Sequence, residues 1–478
     1  MGRLVTAVIG IATIRFSTAM LPPEQFGALA VLITFQTFCG LFLVNPVGQY
    51  INRQTHTWTD EGSLIPRLRR YRVWVFWAAL VGALASGGWA LSQPMSWGER
   101  IIVSAMVLIM VVAATANATS VSLLNMLGYR ALAAGWAGAT ALLGLSFSMI
   151  FTHSFGGGLV WFAGQALGMA IGALGATRAV RQLLPVSREA HWRLLEPGVL
   201  RTYVLPLAIS TGFMWWLLSG YRLLLEAHWG LAALGGAVVG LSLAAQLWGL
   251  LETLAMQFLY PMFYRRIAVK DSPDSALAFS DLLNTLGPVY LVMLAATAVA
   301  APSLLALFVD VGYANVVPFV LLGAVIECSR ALGNVLGTAA QVERRMVALI
   351  VPSAVGALTL TAGLLLINVQ SGIFEAVLIL ASAGLLTLIT MAIVMSRLQR
   401  FYIDWARWCG AVAVVLCAIA LVKGNLLVPD DMAKALTWVA LTGILAGIAT
   451  VALLWKNPGT ERLLAVRLQS TPGEELTS

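Results

Sequence analysis

The sequence predicts an all-α polytopic membrane protein of about fourteen transmembrane helices. Two parallel six-helix lobes are expected around a central cavity, followed by two additional C-terminal helices. Three observations carry that expectation: an apolar composition with little charge, a run of uncharged windows long enough to cross a bilayer, and basic residues confined to alternate loops. Of 478 residues, 60% are hydrophobic and only 10% are charged, against roughly 25% charged in soluble globular proteins. The mean hydropathy is +0.87. Twenty-nine basic and 21 acidic side chains cannot wet the surface of a soluble chain of this size. Composition therefore excludes a soluble enzyme, a disordered chain and a secreted disulfide scaffold. The net charge of +8 resembles a nucleic-acid footprint, but its placement makes it a topology signal.

A spanning helix needs about 20 mostly apolar residues. The spans run 4–20, 28–49, 73–93, 102–125, 131–152, 158–178, 203–225, 232–262, 282–308, 316–340, 346–368, 373–396, 409–423 and 435–455. The uncharged window 131–177 is too long for one span, and Gly156-Gly157-Gly158 reads as a hairpin dividing it. The eighth and ninth spans are overlong, so Pro261 and Pro302 are expected to end or bend them. The first stretch, Leu4–Met20, carries Arg15 in its apolar region and reads as a span rather than a leader.

Orientation follows from Lys and Arg. With a cytoplasmic N-terminus, the inner segments hold 23 of the 29 basic residues, among them Arg188, Lys270 and Arg344. The outer loops hold only Arg100, Lys423 and Lys434, and Arg15, Arg222 and Arg330 lie inside spans. The expected setting is a bacterial inner (plasma) membrane, crossed many times, with both termini cytoplasmic. Cys39, Cys328, Cys409 and Cys417 have no metal-ligand spacing, and no P-loop, GxSxG or HExxH motif is present. No catalytic residues and no metal are assigned, and the chain is not expected to be an enzyme.

The chain also repeats. Arg15 precedes Gly27 much as Arg222 precedes Gly235. Gly128-Tyr129-Arg130 after the fourth span parallels Glu343-Arg344-Arg345 after the tenth, and Gly156–Gly158 parallels Gln370-Ser371-Gly372. An even number of spans in each half implies a parallel repeat about the membrane normal. The expected domains are a six-helix lobe at 1–180, a basic cytoplasmic linker at 181–201, a second six-helix lobe at 202–400, and two further helices with a cytoplasmic tail at 401–478.

The stretch Arg15-Phe16-Ser17-Thr18-Ala19-Met20-Leu21-Pro22-Pro23-Glu24-Gln25-Phe26-Gly27 joins a first-span arginine to an L-x-P-E-E-F/Y-G turn. Ala301-Pro302-Ser303-Leu304-Leu305-Ala306-Leu307-Phe308 leads to Gly312-Tyr313-Ala314-Asn315, though Val309 and Asp310 stand where a glycine is usual. On these residues and the fourteen-span plan, the chain resembles the polysaccharide transporters and Wzx-type O-antigen flippases. These belong to the multidrug/oligosaccharidyl-lipid/polysaccharide (MOP) flippase superfamily. The resemblance implies a flippase that moves an oligosaccharide linked to undecaprenyl pyrophosphate from the cytoplasmic to the outer leaflet. Such a flippase works by alternating access and serves O-antigen, capsule or exopolysaccharide synthesis. It implies polysaccharide polymerase or glycosyltransferase partners, no nucleic acid, and no cofactor beyond a coupling H⁺ or Na⁺.

The in-span polar residues supply the site candidates. A charge at the bilayer centre costs about 2.5–3.5 kcal/mol on insertion scales, so it faces a cavity or a partner. Arg15 and Arg222 hold equivalent repeat positions, and two guanidiniums suit a pyrophosphate because each binds it bidentately. The plainer reading is that both snorkel to headgroups. Glu327, Arg330 and Asn334 share one helical face. Arg330 is a third candidate for the anionic head group, and Glu327 either couples an ion or simply neutralises Arg330. Glu252 either couples H⁺ or Na⁺ or pairs with Arg222. Trp215, Trp216 and Trp248 are candidates for stacking on sugar rings, against the commoner role of interface anchors. Gly164, Gly168 and Gly172 form a small-residue face that reads as helix packing.

Two other functions compete. One is a drug/cation antiporter of the MATE type, which would prefer an acidic cavity, whereas three in-span arginines outnumber two glutamates. The other is a non-transporting membrane subunit of a polysaccharide synthase or export complex, docking partners on the basic loops 50–72 and 178–201.

Overall fold

The computed structural model describes residues 2–184, 193–195, 197–268, 275–343, 345–368, 370–422, 428–429 and 431–468. Arg188, Lys270, Arg344, Lys423 and much of the basic linker lie outside the described residues. Among the described residues every regular element is helical, and there is no strand.

The first half runs α1 (Gly2–Met20), α2 (Pro23–Asp60), α3 (Leu64–Ser92), α4 (Trp97–Met126), α5 (Arg130–Phe155) and α6 (Gly158–Leu183). A continuous helical stretch, Leu200–Ile267, follows. It breaks at Gly230, where φ is 78° and ψ is 172°. A side chain would strain that backbone, which is why a glycine turns the chain there. The two parts are α7 (200–229) and α8 (231–267). Then come α9 (Ser275–Phe308), α10 (Val311–Val342), α11 (Met346–Leu366), α12 (Ile373–Leu398), α13 (Trp405–Val422), α14 (Met432–Leu454) and α15 (Pro458–Leu468). Twelve helical segments are long and apolar enough to cross a membrane. One of them is the doubled Leu200–Ile267, and Val5–Met20 is a shorter apolar helix, so the fourteen expected spans are all present as helices. This is a multi-pass membrane protein. Its surface agrees: Leu84, Leu358, Leu416 and Ile444 are all more than half exposed, as residues solvated by lipid tails are.

Several boundaries follow from local chemistry. Ser96 caps α4 with a reciprocal box: its backbone N–H donates to the Glu99 carboxylate at 2.7 Å, and its hydroxyl accepts from the Glu99 N–H at 3.3 Å. The expected hairpin forms between α5 and α6, with Gly156 and Gly157 both at positive φ. Beyond it, a side chain at Gly164 or Gly168 would collide with the backbone of α5, so the small-residue face of α6 is a packing face. The helix widens into π turns at Cys39–Val44 in α2 and Leu200–Val204 in α7. Pro46 and Pro206 follow closely, and each removes an N–H and crowds the carbonyl four residues earlier. Of the two outcomes expected at Pro261 and Pro302, an end or a bend, neither proline ends its helix. Each costs one backbone hydrogen bond, and the chain stays helical to Ile267 and Phe308.

The chain forms two compact units. One comprises Met1–Val239 with Ala357–Ala376, and the other Gly240–Gly356 with Val377–Ser478. A core of Val47, Ile51, Trp58, Leu64, Tyr71 and Leu124 fills part of the first unit. Trp248, Phe263, Phe279, Leu282, Tyr290 and Val335 form the core of the second. The second unit also holds a polar clamp. Buried Asp281 accepts from Arg266 at 2.7 Å, from Arg462 at 2.5 Å and from the Tyr402 hydroxyl at 2.9 Å, tying α15 and the segment before α13 to α9. Burial and the neighbouring Asp281 carboxylate raise the Tyr402 pKa above its ordinary value.

Candidate functional site

The first compact unit brings the repeat-related residues together. Pro23 opens α2, and Leu231 follows the Gly230 break to open α8. A Cβ on Gly27 would fall on the carbonyl oxygen of Leu231, and a Cβ on Gly235 would fall on that of Pro23. The two contacts are reciprocal and share one sequence offset of 208 residues, as a local two-fold axis between α2 and α8 requires. Only glycine permits this approach at both positions. A second pair of signs lies at the ends of α4 and α10. The N–H of Leu127 bonds the Leu123 carbonyl and that of Tyr129 bonds Leu124, while Glu343 bonds Ala339 and Arg345 bonds Ala340. That pattern repeats at an offset of 216 residues.

Arg15 and Arg222 sit on the helices that lead into the crossing. Arg15 lies on α1 six residues before Leu21, and Arg222 lies on α7 eight residues before Gly230. Both are half-buried. The Arg222 Nε is buried without a hydrogen-bond partner among the described residues. One turn further on, the Glu226 carboxylate accepts from the Gln93 amide at 2.9 Å.

Trp215 and Trp216 stand on α7 just before the arginine. Their rings meet edge-on at 5.8 Å, and Trp215 also packs against Phe38 at 4.8 Å. The Trp215 indole N–H donates to the Thr34 carbonyl at 3.3 Å, and that of Trp216 donates to the Thr361 hydroxyl at 2.9 Å. Both tryptophans thus spend their polar edge holding α7 to neighbouring helices. Trp248 is different. It is fully buried against Tyr290 in the core of the second unit, so neither ring face is open to a sugar in this conformation.

The second unit gathers the in-span charges. Arg330 on α10 bonds Glu252 of α8 at 2.5 Å and Glu327 of its own helix at 2.6 Å. Asn334 donates to the other Glu252 oxygen at 3.0 Å. The shared face of Glu327, Arg330 and Asn334 is therefore real, and Glu252 completes it. The partner of Glu252 is Arg330, in place of the expected Arg222. Two carboxylates and one guanidinium leave the cluster with one net negative charge. No group of three or more potential metal ligands occurs among the described residues.

No family model matches the chain, and no curated protein does. Solved structures do match its fold. It aligns with the lipid II flippase MurJ in an inward closed conformation at a TM-score of 0.67 and 9% identity, covering 95% of this chain and 98% of that one. It aligns with a MOP superfamily transporter from Pyrococcus furiosus at a TM-score of 0.53 and 14% identity, covering 83% and 93%. The chain therefore shares the fold of these two proteins.

Within this fold, the sequence located the arginines, the glutamates and both crossing glycines. It missed two polar sets. Asp281 was hidden by its place at the start of an apolar helix. A row of amides on α2, Asn45, Gln49 and Asn52, was passed over because the window 27–52 carries no charge. Their spacing of four and then three residues, one helical face, is the signal that could have found them.

Proposed function

We propose that this chain is a MOP-type flippase for a lipid-linked oligosaccharide. It would carry the undecaprenyl-pyrophosphate conjugate from the cytoplasmic to the outer leaflet of a bacterial inner membrane, for O-antigen, capsule or exopolysaccharide synthesis. The observation that supports the reading is the reciprocal crossing of α2 and α8, with Arg15 and Arg222 on the helices that lead into it. Two repeat-related guanidiniums match a pyrophosphate, which offers each of them a planar oxygen edge. In this reading the two six-helix lobes at 1–180 and 202–400 alternate in access, the crossing is the closed outer end, and both termini are cytoplasmic. Polymerase or glycosyltransferase partners would meet the basic inner loops. The single excess carboxylate among Glu252, Glu327 and Arg330 is the place for a coupling H⁺ or Na⁺, and Arg330 itself is then committed to the cluster rather than to the head group.

A MATE-type cation antiporter is less well supported, because Glu252 and Glu327 are both engaged by Arg330 and offer little to a cationic drug. The test is reconstitution. Vesicles carrying the full chain and a fluorescent sugar on polyprenyl pyrophosphate are exposed to an impermeant quencher, and the fraction of probe reached is followed in time. Wild type should equilibrate the leaflets faster than protein-free vesicles. Replacing Arg15 or Arg222 by Ala should cost about 1.5–3 kcal/mol per charge-assisted contact, roughly 10- to 150-fold in affinity, and Lys should keep part of it. Full activity in Arg15→Ala, Arg222→Ala and the double variant would overturn the head-group role. Absence of any wild-type flipping would overturn the function.

A further inference from the structure

α2 and α4, with Tyr71 of α3 and Met169 of α6, line an open cavity of about 450 Å³ in the first compact unit. That lies within the range of small-molecule sites, roughly 300–1,000 Å³. Its lining carries no charge and sets amide and hydroxyl groups among apolar side chains. Gln36, Asn45, Gln49, Asn52 and Asn117 supply carboxamides, and Thr115, Thr119, Ser122 and Tyr71 supply hydroxyls. Asn117 is engaged, accepting from the Thr140 hydroxyl at 3.3 Å and donating to the Met169 sulfur at 3.6 Å, but the amides of α2 keep capacity to spare. The Gln36 side chain bonds nothing among the described residues, Gln49 reaches Asn45 only at 3.4 Å, and Asn52 accepts one bond from Ser122 at 3.1 Å while its own amide N–H groups bond nothing among the described residues. Within an apolar layer such amides are held by water or by a ligand that bonds them, and the cavity has room for either.

The repeat explains why there is space. Counting back 208 residues along α8 and 216 along α10, Glu252, Glu327, Arg330 and Asn334 fall on Val44, Val111, Ala114 and Ala118. All four of those residues line the cavity. Where the second half fills its interior with an ion cluster, the first half has small apolar side chains and leaves room. The π turn at Cys39–Val44 forms one wall, and π turns inside helices often mark functional sites.

We infer that this cavity binds a neutral polyhydroxylated group, a pyranose ring of the cargo. A carboxamide offers a donor and an acceptor in one plane and meets a pair of neighbouring hydroxyls with both. An anion would find no cation in this lining, and a metal ion would find no carboxylate. The inference rests on the reading that the cargo carries sugar, and it assigns recognition of that sugar to α2 and α4 instead of to the tryptophans.

The probe is a panel of methyl glycosides of hexoses and N-acetylhexosamines, followed by saturation-transfer NMR with the full chain in nanodiscs. Wild type should transfer saturation to at least one glycoside. Gln49→Leu combined with Asn52→Leu should weaken that binding about tenfold or more. Gly40→Phe provides an independent variant: nothing lies within 4 Å of where its Cβ would stand, so the ring fills the cavity and leaves the amides untouched. It too should lose glycoside binding. No transfer to any glycoside from wild type, or wild-type transfer in a correctly folded variant of either kind, would overturn the inference. Flipping of polyprenyl-pyrophosphate-linked sugar by wild type is scored separately. Flipping without glycoside binding defeats the sugar site alone, and absence of flipping defeats the function.

Discussion

The helix pair α2 and α4 and its repeat counterpart α8 and α10 solve the same problem with opposite chemistry. Both must hold polar side chains within an apolar layer. The first pair leaves a cavity and lines it with uncharged amides. The second closes on itself through Glu252, Arg330 and Glu327, with Asn334 beside them. One duplicated scaffold thus supports a site open to a ligand and a site occupied by its own charges. The choice is made at four positions, by whether they hold Val and Ala or Glu, Arg and Asn.

The largest expected effect comes from breaking the ion cluster. Arg330→Met leaves two carboxylates facing each other with no cation between them. Removing one partner of a buried ion pair costs about 3–5 kcal/mol, because the remaining charge is left uncompensated. Thermal unfolding in detergent should show it. Asn52→Leu in the cavity should cost under about 1.5 kcal/mol, since it gives up a single neutral bond to Ser122. Equal losses for the two would mean that the halves do not differ as described.

Next in size is the place where the halves meet as equals. Gly27→Ala and Gly235→Ala each put a methyl group onto a carbonyl oxygen of the other helix. Overpacking of this kind costs about 1–3 kcal/mol, and the local two-fold predicts similar losses at the two sites. A cysteine at Glu24, beside this crossing, should react with an impermeant thiol reagent added from outside in a cysteine-free background, and one at Arg69 should not. The reverse pattern would invert the proposed orientation. A tolerated Gly27→Ala beside a damaging Gly235→Ala would show that the reciprocity is geometric only.

Much of this was legible in the sequence, and the reasons for the remainder are physical. Hydropathy located every span because lipid demands long uncharged helices, and the Gly156–Gly157 hairpin was readable because glycine is what positive φ requires. Pro261 and Pro302 do not mark the helix ends, because a proline near a helix end gives up one bond and the helix can continue. The shared face of Glu327, Arg330 and Asn334 was readable from spacing within one helix. The pairing of Glu252 with Arg330 was not, since it depends on how α8 packs against α10. The α2 cavity was invisible for a related reason: space left by Val44, Val111, Ala114 and Ala118 is a property of packed helices, and no single segment encodes it.

The smallest expected effect is the most informative about the second half. Glu252→Gln converts a charged residue of the cluster into an amide, the chemistry of the first half. Gln keeps the shape and one acceptor oxygen, so bonds to Arg330 and Asn334 can persist in weaker form. Arg330 remains neutralised by Glu327 at 2.6 Å, and no unpaired charge is created. The stability loss should therefore be about 0.5–1.5 kcal/mol, the worth of one weakened hydrogen bond, far below that of Arg330→Met. Transport in the vesicle assay should continue at a measurable fraction of wild type if Glu252 is structural. The cluster would also lose its excess negative charge, so any pH or Na⁺ dependence that originates there should flatten. Abolished transport at normal protein level, together with loss of that dependence, would show that the carboxylate couples the ion, and would make the charge difference between the two halves the source of the driving force.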